Sequence, residues 1–222
     1  MKIHIYDTET EVIKGLADYF VATVNAAIRK KDDCAVVLSG GSSPKKLYQL
    51  LASDEYKNEV DWGKVSFFFG DERYVPFDHP DNNGLMAKQT LFEPLQIDES
   101  KIFYIGTSLS PEQEAANYTD AIFSYFGERQ TKFDLVLLGL GDNAHTASLF
   151  PHTDVLYEEE AIVRPVYLEN QQVYRITLTA PIINEAHTIA FLVYGQSKAA
   201  AVQQVLKGEK NIERFPAQLI QP

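Results

Sequence analysis

The sequence predicts an α/β protein with a mainly parallel, Rossmann-like sheet and helices on both of its faces. Short apolar runs alternate with segments of helical periodicity, which is typical of βαβ units. In addition, the segments rich in glycine or charge each follow directly after an apolar run. Because parallel sheets bind ligands at the carboxyl ends of their strands, we expect these segments to meet at one edge of the sheet.

The first third of the chain predicts three strands and two helices. Strands are expected at the runs IHIY, CAVVL and VSFFF. A helix is expected over Glu9 to Arg29, where apolar residues recur at helical spacing and Thr8 with Glu11 matches a capping box. A second helix is expected over Pro44 to Leu51, with Ser43 as its N-cap.

The rest of the chain continues this alternation. After a long loop and a helix, IFYI predicts a strand, a helix begins at Pro111 behind the capping pair Ser110 and Gln113, and FDLVLL predicts a buried strand. Further strands are expected at AIVRPVY, VYRITLT and TIAFLVY, with helices around APIINEA and SKAAAVQQVL. No repeat or linker divides the sequence, so we expect residues 1–222 to form one domain.

Composition excludes several classes of partner. The chain has 31 acidic and 20 basic residues, a net charge of -11, which disfavours binding to nucleic acid or to an anionic membrane. We find no apolar segment long enough to span a bilayer and no signal peptide. The single cysteine, Cys34, lies in an apolar run and is expected to be a buried small hydrophobe. These features predict a cytoplasmic protein without nucleic-acid or membrane partners.

The first candidate site is the glycine turn in LSGGSSPKK. Gly40 and Gly41 lie between a predicted strand and a predicted helix, where free backbone N–H groups favour an anion. The spacing matches neither a Walker loop nor a dinucleotide fingerprint. This segment alone is compatible with either a tight turn or a phosphate site.

The second candidate site is the charged segment GDERYVPFDHPDNN. Such loops are usually solvated. Arg73 at a strand end is nevertheless suited to bind a phosphate or carboxylate, because its planar guanidinium can donate two parallel hydrogen bonds. Asp78, His79 and Asp81 have no recognised metal-ligand spacing, so we expect no metal.

The third and fourth candidates follow later strands. In LGLGDNAHTASLFPHT, His145 comes just after two glycines, and an imidazole is the side chain best suited to accept a proton near neutral pH. In GQSKAA, Ser197 approximates a nucleophile elbow, but residues 198–222 contain no Asp or His to complete a triad. Lys198 then remains, as a solvated amine or a phosphate ligand.

Together these four segments resemble the 6-phosphogluconolactonase family, in the same order and along nearly the whole chain. Glucosamine-6-phosphate deaminases share the fold and the first loop, but the sequence HTASLFP after the histidine is similar to the lactonases. The resemblance implies hydrolysis of 6-phospho-D-glucono-1,5-lactone to 6-phosphogluconate in the oxidative pentose phosphate pathway. It further implies a monomer that uses neither a metal nor an organic cofactor.

The resemblance also implies which residues form the site. His145 is the implied base, and Asp71 and Arg73 complete the catalytic group. The implied ligands of the substrate and its phosphate are Gly40, Gly41, Ser42, Asn83, Arg175 and Lys198.

The sequence departs from the family before the histidine, where many relatives have Asp-Gly and this chain has Asn143 and Ala144. An aspartate there is suited to orient the imidazole, whereas Asn143 keeps a hydrogen bond without a charge. Either Asp142 or Asp71 substitutes for it, or the pKa of His145 needs less support. Ala144 indicates that the turn does not require a glycine-only backbone angle.

Two other functions stay open at this point. A sugar-phosphate isomerase or deaminase on the same fold would use Asp71 as a base toward a substrate C–H. A sugar-phosphate sensor is the other alternative, because related folds are effector domains of bacterial transcription regulators. The lack of a helix-turn-helix extension and of a basic face argues against the sensor.

Overall fold

The computed structural model describes residues 1–221, and two sheets organise them. The strands, in chain order β1 to β7, are Cys34–Leu38, Val65–Phe69, Asp71–Arg73, Leu135–Gly139, Val163–Leu168, Val173–Leu178 and Ile189–Leu192. Strands β2, β1, β4 and β7 form a parallel sheet in that order. Strands β3, β6 and β5 form a second, antiparallel sheet. The predicted parallel sheet is therefore confirmed, and the antiparallel sheet is an addition to it.

The helices follow the predicted order. In chain order α1 to α7, they are Glu9–Lys31, Ser42–Leu51, Asn83–Ala87, Glu93–Leu95, Pro111–Phe126, Ala180–Asn184 and Ala199–Lys207. Both predicted capping boxes are present: the side chain of Thr8 accepts a hydrogen bond from the Glu11 N–H, and that of Ser110 accepts one from the Gln113 N–H. Each box satisfies donors that a helix start leaves open.

Two neighbouring phenylalanines of β2 show that helices cover both faces of the parallel sheet. Successive strand residues point to opposite faces. Phe67 packs against Trp62, which in turn contacts Phe20 of α1. Phe68 packs against residues of α5, including Phe126. Helices α1 and α5 therefore lie on opposite sides of the sheet, as the alternating pattern predicts.

Three local predictions are wrong. The run IHIY forms no strand: Ile3 and Ile5 are exposed, because no other strand pairs with this segment. The run IFYI contributes only an isolated bridge between Ile102 and Phe67. Helix α2 begins at Ser42 instead of Pro44, and its N-cap is Gly41 and not Ser43, because the chain enters the helix through a φ of 106° that glycine adopts readily.

The second sheet arises from short connections. Four residues join Leu168 to Val173, too few for the crossover that a parallel pair needs, so β5 and β6 form an antiparallel hairpin. Strand β3 pairs with β6 immediately after β2 ends, which brings the charged segment beside the parallel sheet. Cys34 is fully buried, as expected. Within residues 1–221, no helix combines the length and apolar character needed to cross a membrane.

Candidate active site

All the site residues predicted from the sequence line one cavity of about 380 Å³. It lies where β1, β4 and β7 end, so the carboxyl ends of parallel strands converge on it, as predicted. The predicted residues in its wall are Gly40, Gly41, Ser42, Asp71, Arg73, Asn83, His145, Arg175 and Lys198.

Asn83 connects the glycine turn to the charged segment. It is 1% exposed, its side-chain amide donates to the backbone oxygen of Asp71 at 2.8 Å, and its Oδ1 accepts a hydrogen bond from Arg73. A Cβ atom at Gly40 would overlap this amide, so any larger residue there would displace the Asn83 side chain. Asn83 therefore positions Arg73. The absence of a side chain at Gly40 leaves the space that the Asn83 amide occupies.

Two buried carboxylates support the same wall. Asp71 accepts a hydrogen bond from the Ser148 hydroxyl at 2.6 Å. Glu72 accepts three backbone N–H groups, those of Arg73, Asn83 and Gly84, at 2.7–2.9 Å. Burial raises the pKa of Glu72 to about 7, although these donors oppose the rise. Glu72 thus fastens the start of α3 to β3, a role that the sequence did not reveal.

Arg175 carries a buried donor that is free to bind an anion. Its Nε atom is buried and has no hydrogen-bond partner within residues 1–221, and its guanidinium lies 5.9 Å from the centre of the Phe150 ring. Burial lowers its pKa, and the nearby charge of Arg73 lowers it further, while Asp71 opposes both. A buried charged group without a partner is costly, so this position favours a negatively charged ligand.

His145 is confined on three sides. Its ring stacks on Phe150 with a centroid distance of 4.1 Å, and its Nδ1 lies 2.5 Å from Oδ1 of Asn143. A Cβ at Gly141 would overlap the ring, so this glycine makes room for it. Burial lowers the pKa of His145 to about 4 against the opposing charge of Asp71. The imidazole is therefore neutral at pH 7, the form that accepts a proton.

The departure at Asn143 has a direct structural answer. Asp142 forms an ion pair with Lys198 at 2.5 Å, and Asp71 is bound to Ser148. The hydrogen-bonding partner of the imidazole is instead Asn143 itself. The sequence left open whether an acidic neighbour replaces the missing aspartate, and in this structure the amide holds the ring.

Ala144 has a φ of 59°, in the left-handed region that glycine adopts most readily and that other residues occupy only at a cost. The angle is therefore not restricted to glycine, as expected, but it is unfavourable for alanine. For alanine this conformation costs roughly 1–2 kcal/mol. The side chain is buried in a small cluster with Leu140, Ala201 and Ala217, and its backbone oxygen accepts the Ala217 N–H at 2.9 Å. This packing offsets the cost.

Comparison with known proteins gives one family. A model described as glucosamine-6-phosphate isomerases/6-phosphogluconolactonase matches residues 7–222. The 6-phosphogluconolactonase of Synechocystis sp. is 38% identical over 203 residues, which are 90% of this chain and 82% of that protein. The human 6-phosphogluconolactonase is 35% identical over 191 residues, which are 85% of this chain and 74% of that protein.

Solved structures agree with the fold described above. The 6-phosphogluconolactonase of Thermotoga maritima has a TM-score of 0.85 at 28% identity, covering 99% of this chain and 95% of its own. That of Trypanosoma cruzi has a TM-score of 0.87 at 27% identity, covering 98% of this chain and 90% of its own. These similarities confirm the predicted fold class and the resemblance from which the site residues were taken.

Proposed function

The chain belongs to the glucosamine-6-phosphate isomerase/6-phosphogluconolactonase family, and we propose that it hydrolyses 6-phospho-D-glucono-1,5-lactone to 6-phosphogluconate by histidine-assisted attack of water. The observation that carries the mechanism is the position of His145, whose pKa is lowered by burial, in a cavity that also contains Arg73, Arg175 and Lys198. A base beside several cations suits a substrate that combines a phosphate with a carbonyl group.

The phosphate is bound by the cationic and backbone donors. Arg175 offers its unpaired Nε, and Lys198 offers an ammonium group that now pairs with Asp142. The first turn of α2, after the N-cap Gly41, adds backbone N–H groups that no capping side chain occupies. Charge-assisted hydrogen bonds of these kinds hold the phosphate and thereby fix the lactone carbonyl against the attacking water.

The proton moves through His145. Nε2 takes a proton from water while the water oxygen bonds to the lactone carbonyl carbon, whose π electrons move to its oxygen. When the carbonyl re-forms, the bond from that carbon to the ring oxygen breaks, and the ring oxygen receives the proton from Nε2. The product is a hydroxy acid, which releases one proton to solvent on ionisation.

Further groups stabilise the charges that develop on the oxyanion and on the imidazolium. Arg73, held by Asn83, stabilises the oxyanion together with backbone N–H groups of the turn at 139–144 other than those of Gly141 and Ala144, which donate within the loop. The buried carboxylate of Asp71 stabilises the imidazolium, since its charge raises the pKa of His145. A lactone is already an activated ester, so this mechanism needs no covalent intermediate.

Two substrates test the proposal. Freshly generated 6-phosphogluconolactone is followed by acid release against its spontaneous hydrolysis, and glucosamine 6-phosphate is followed by ammonia release. We expect rapid acid release from the first and no ammonia from the second. Acid release at the spontaneous rate, or release of ammonia, would contradict the proposed lactone hydrolysis.

A further inference from the structure

The contact between Asn143 and His145 determines which ring nitrogen carries the proton. The backbone N–H of His145, which only donates, lies 3.2 Å from Oδ1 of Asn143, so the oxygen end of the amide faces this loop. The same oxygen lies 2.5 Å from Nδ1 of the ring. Because a carbonyl oxygen only accepts, Nδ1 carries a proton, and in the neutral imidazole the lone pair is on Nε2.

We propose that Asn143 is a positioning residue that holds His145 in the Nδ1–H tautomer and leaves Nε2 free to accept a proton from water. This inference rests on the proposed function of His145 as the base. Asn143 acts through the ring and not on the substrate, and it does so without adding a negative charge.

The surroundings of the ring favour one fixed orientation. The Phe150 ring stacks on the imidazole with an angle of 18° between the two ring planes. On another side, the backbone of Gly141 lies so close to Nδ1 that a side chain at this position would overlap the ring. The remaining rotation, a half-turn of the ring that exchanges Nδ1 with Cδ2 and Nε2 with Cε1, costs the hydrogen bond to Asn143. Asn143 is therefore the partner that selects between the two orientations.

The charges around His145 come from several elements. Asp71 and Arg73 belong to β3, Arg175 belongs to β6, Lys198 lies in the turn before α7, and Asp142 lies in the histidine's own loop. Both carboxylates already have partners: Asp71 accepts a hydrogen bond from Ser148, and Asp142 forms an ion pair with Lys198. An aspartate in place of Asn143 would place a third carboxylate directly on the ring, which raises the pKa of a histidine by about 1–3 units.

The test uses the full chain labelled with ¹⁵N and two variants, Asn143→Asp and Asn143→Leu. Nitrogen NMR distinguishes a protonated ring nitrogen from one with a lone pair, and it reads the tautomer without substrate. The exposed His79 and His152 are internal references in the same spectra. The acid side of the kcat/KM profile on 6-phosphogluconolactone is the second measurement.

We expect the wild type to carry its proton on Nδ1 at neutral pH. In Asn143→Asp the tautomer is kept, while the titration midpoint of His145 and the acid limb of kcat/KM both move up by about 1–3 pH units. In Asn143→Leu the tautomers mix and kcat falls about 10- to 100-fold.

Three results would overturn the assignment. These are a wild-type ring protonated at Nε2, an Asn143→Asp midpoint that does not move, or a leucine variant with an unchanged tautomer. A wild type with its proton on Nδ1 that hydrolyses no lactone would contradict the proposed function and leave the tautomer assignment intact. The side chains of aspartate and asparagine have the same shape, so we expect Asn143→Asp to fold. The titration midpoint of this variant therefore tests the assignment even if Asn143→Leu does not fold.

Discussion

Arg73 and Arg175 face each other directly across strands β3 and β6. Side chains in such a pair point to the same face of the sheet, and like charges placed opposite each other are destabilising. Both arginines line the cavity, together with Lys198. A chain with a net charge of -11 thus gathers three cations in one cavity, and a bound anion relieves their repulsion.

Inorganic phosphate should therefore stabilise the protein through Arg175. At a phosphate concentration of 100 times Kd the gain is about 2.7 kcal/mol, which for a chain of this size raises Tm by roughly 5–10 °C. Thermal unfolding in phosphate and in chloride of equal ionic strength measures it. The Arg175→Ala variant should lose the shift in Tm. The control is Arg164→Ala, which removes an exposed arginine of β5 that pairs with Glu158, and this variant should keep the shift. An equal shift in both variants would argue against the anion site.

Lys198→Ala should weaken binding of the phosphorylated substrate. Losing a hydrogen bond from a charged group costs about 1.5–3 kcal/mol, a roughly 10- to 150-fold fall in kcat/KM on 6-phosphogluconolactone. Turnover of unphosphorylated gluconolactone should change little. Lys14→Ala, which removes a surface lysine paired with Glu55 at 2.7 Å, is the control. Equal losses on the two lactones would contradict a phosphate role for Lys198.

Gly40→Ala should impair the site without disturbing the rest of the fold. The added Cβ displaces Asn83, and Arg73 then loses its anchor, so we expect kcat/KM to fall at least about tenfold. Gly63→Ala is the matched control, because the nearest atom to its Cβ is 3.4 Å away. Kinetics with circular dichroism on both variants makes the comparison, and an active Gly40→Ala enzyme would show that Asn83 does not position Arg73.

Glu72→Gln should destabilise the fold by about 1–3 kcal/mol, because an amide nitrogen would face a backbone N–H now bound by the carboxylate. The pKa of Glu72 is raised to about 7, so its contribution to stability is full below pH 4.5 and is lost as pH rises from there to about 7. The glutamine variant should therefore lose more at pH 5 than at pH 8. Urea unfolding at both values measures this, and a greater loss at pH 8 would indicate an ionised native carboxylate.

Much of the site was predictable because parallel strands end at a common edge. Gly40 and His145 are about a hundred residues apart, yet each follows a buried apolar strand, and that rule alone brings them together. The capping boxes of α1 and α5 were predictable because they depend on residues three apart. The family resemblance supplied the substrate and the roles of Arg175 and Lys198.

Other features depend on contacts that no local pattern encodes. The bond from Ser148 to Asp71 joins residues 77 apart and depends on the second sheet, which the strand pattern did not reveal. The segment IHIY has the alternation of a strand but finds no neighbour to pair with. The contact of Asn143 with the imidazole depends on the turn geometry around Ala144. The monomeric state and the cytoplasmic location stay predictions.

The central claim is that His145 is the base, and the turnover of freshly generated 6-phosphogluconolactone by wild type and His145→Ala tests it most directly. His152→Ala, which removes an exposed histidine near Glu213, is the matched control. Corrected for spontaneous hydrolysis, kcat should fall about 10²- to 10⁴-fold in His145→Ala and should be unchanged in the control. A loss of less than about tenfold would contradict the role of His145.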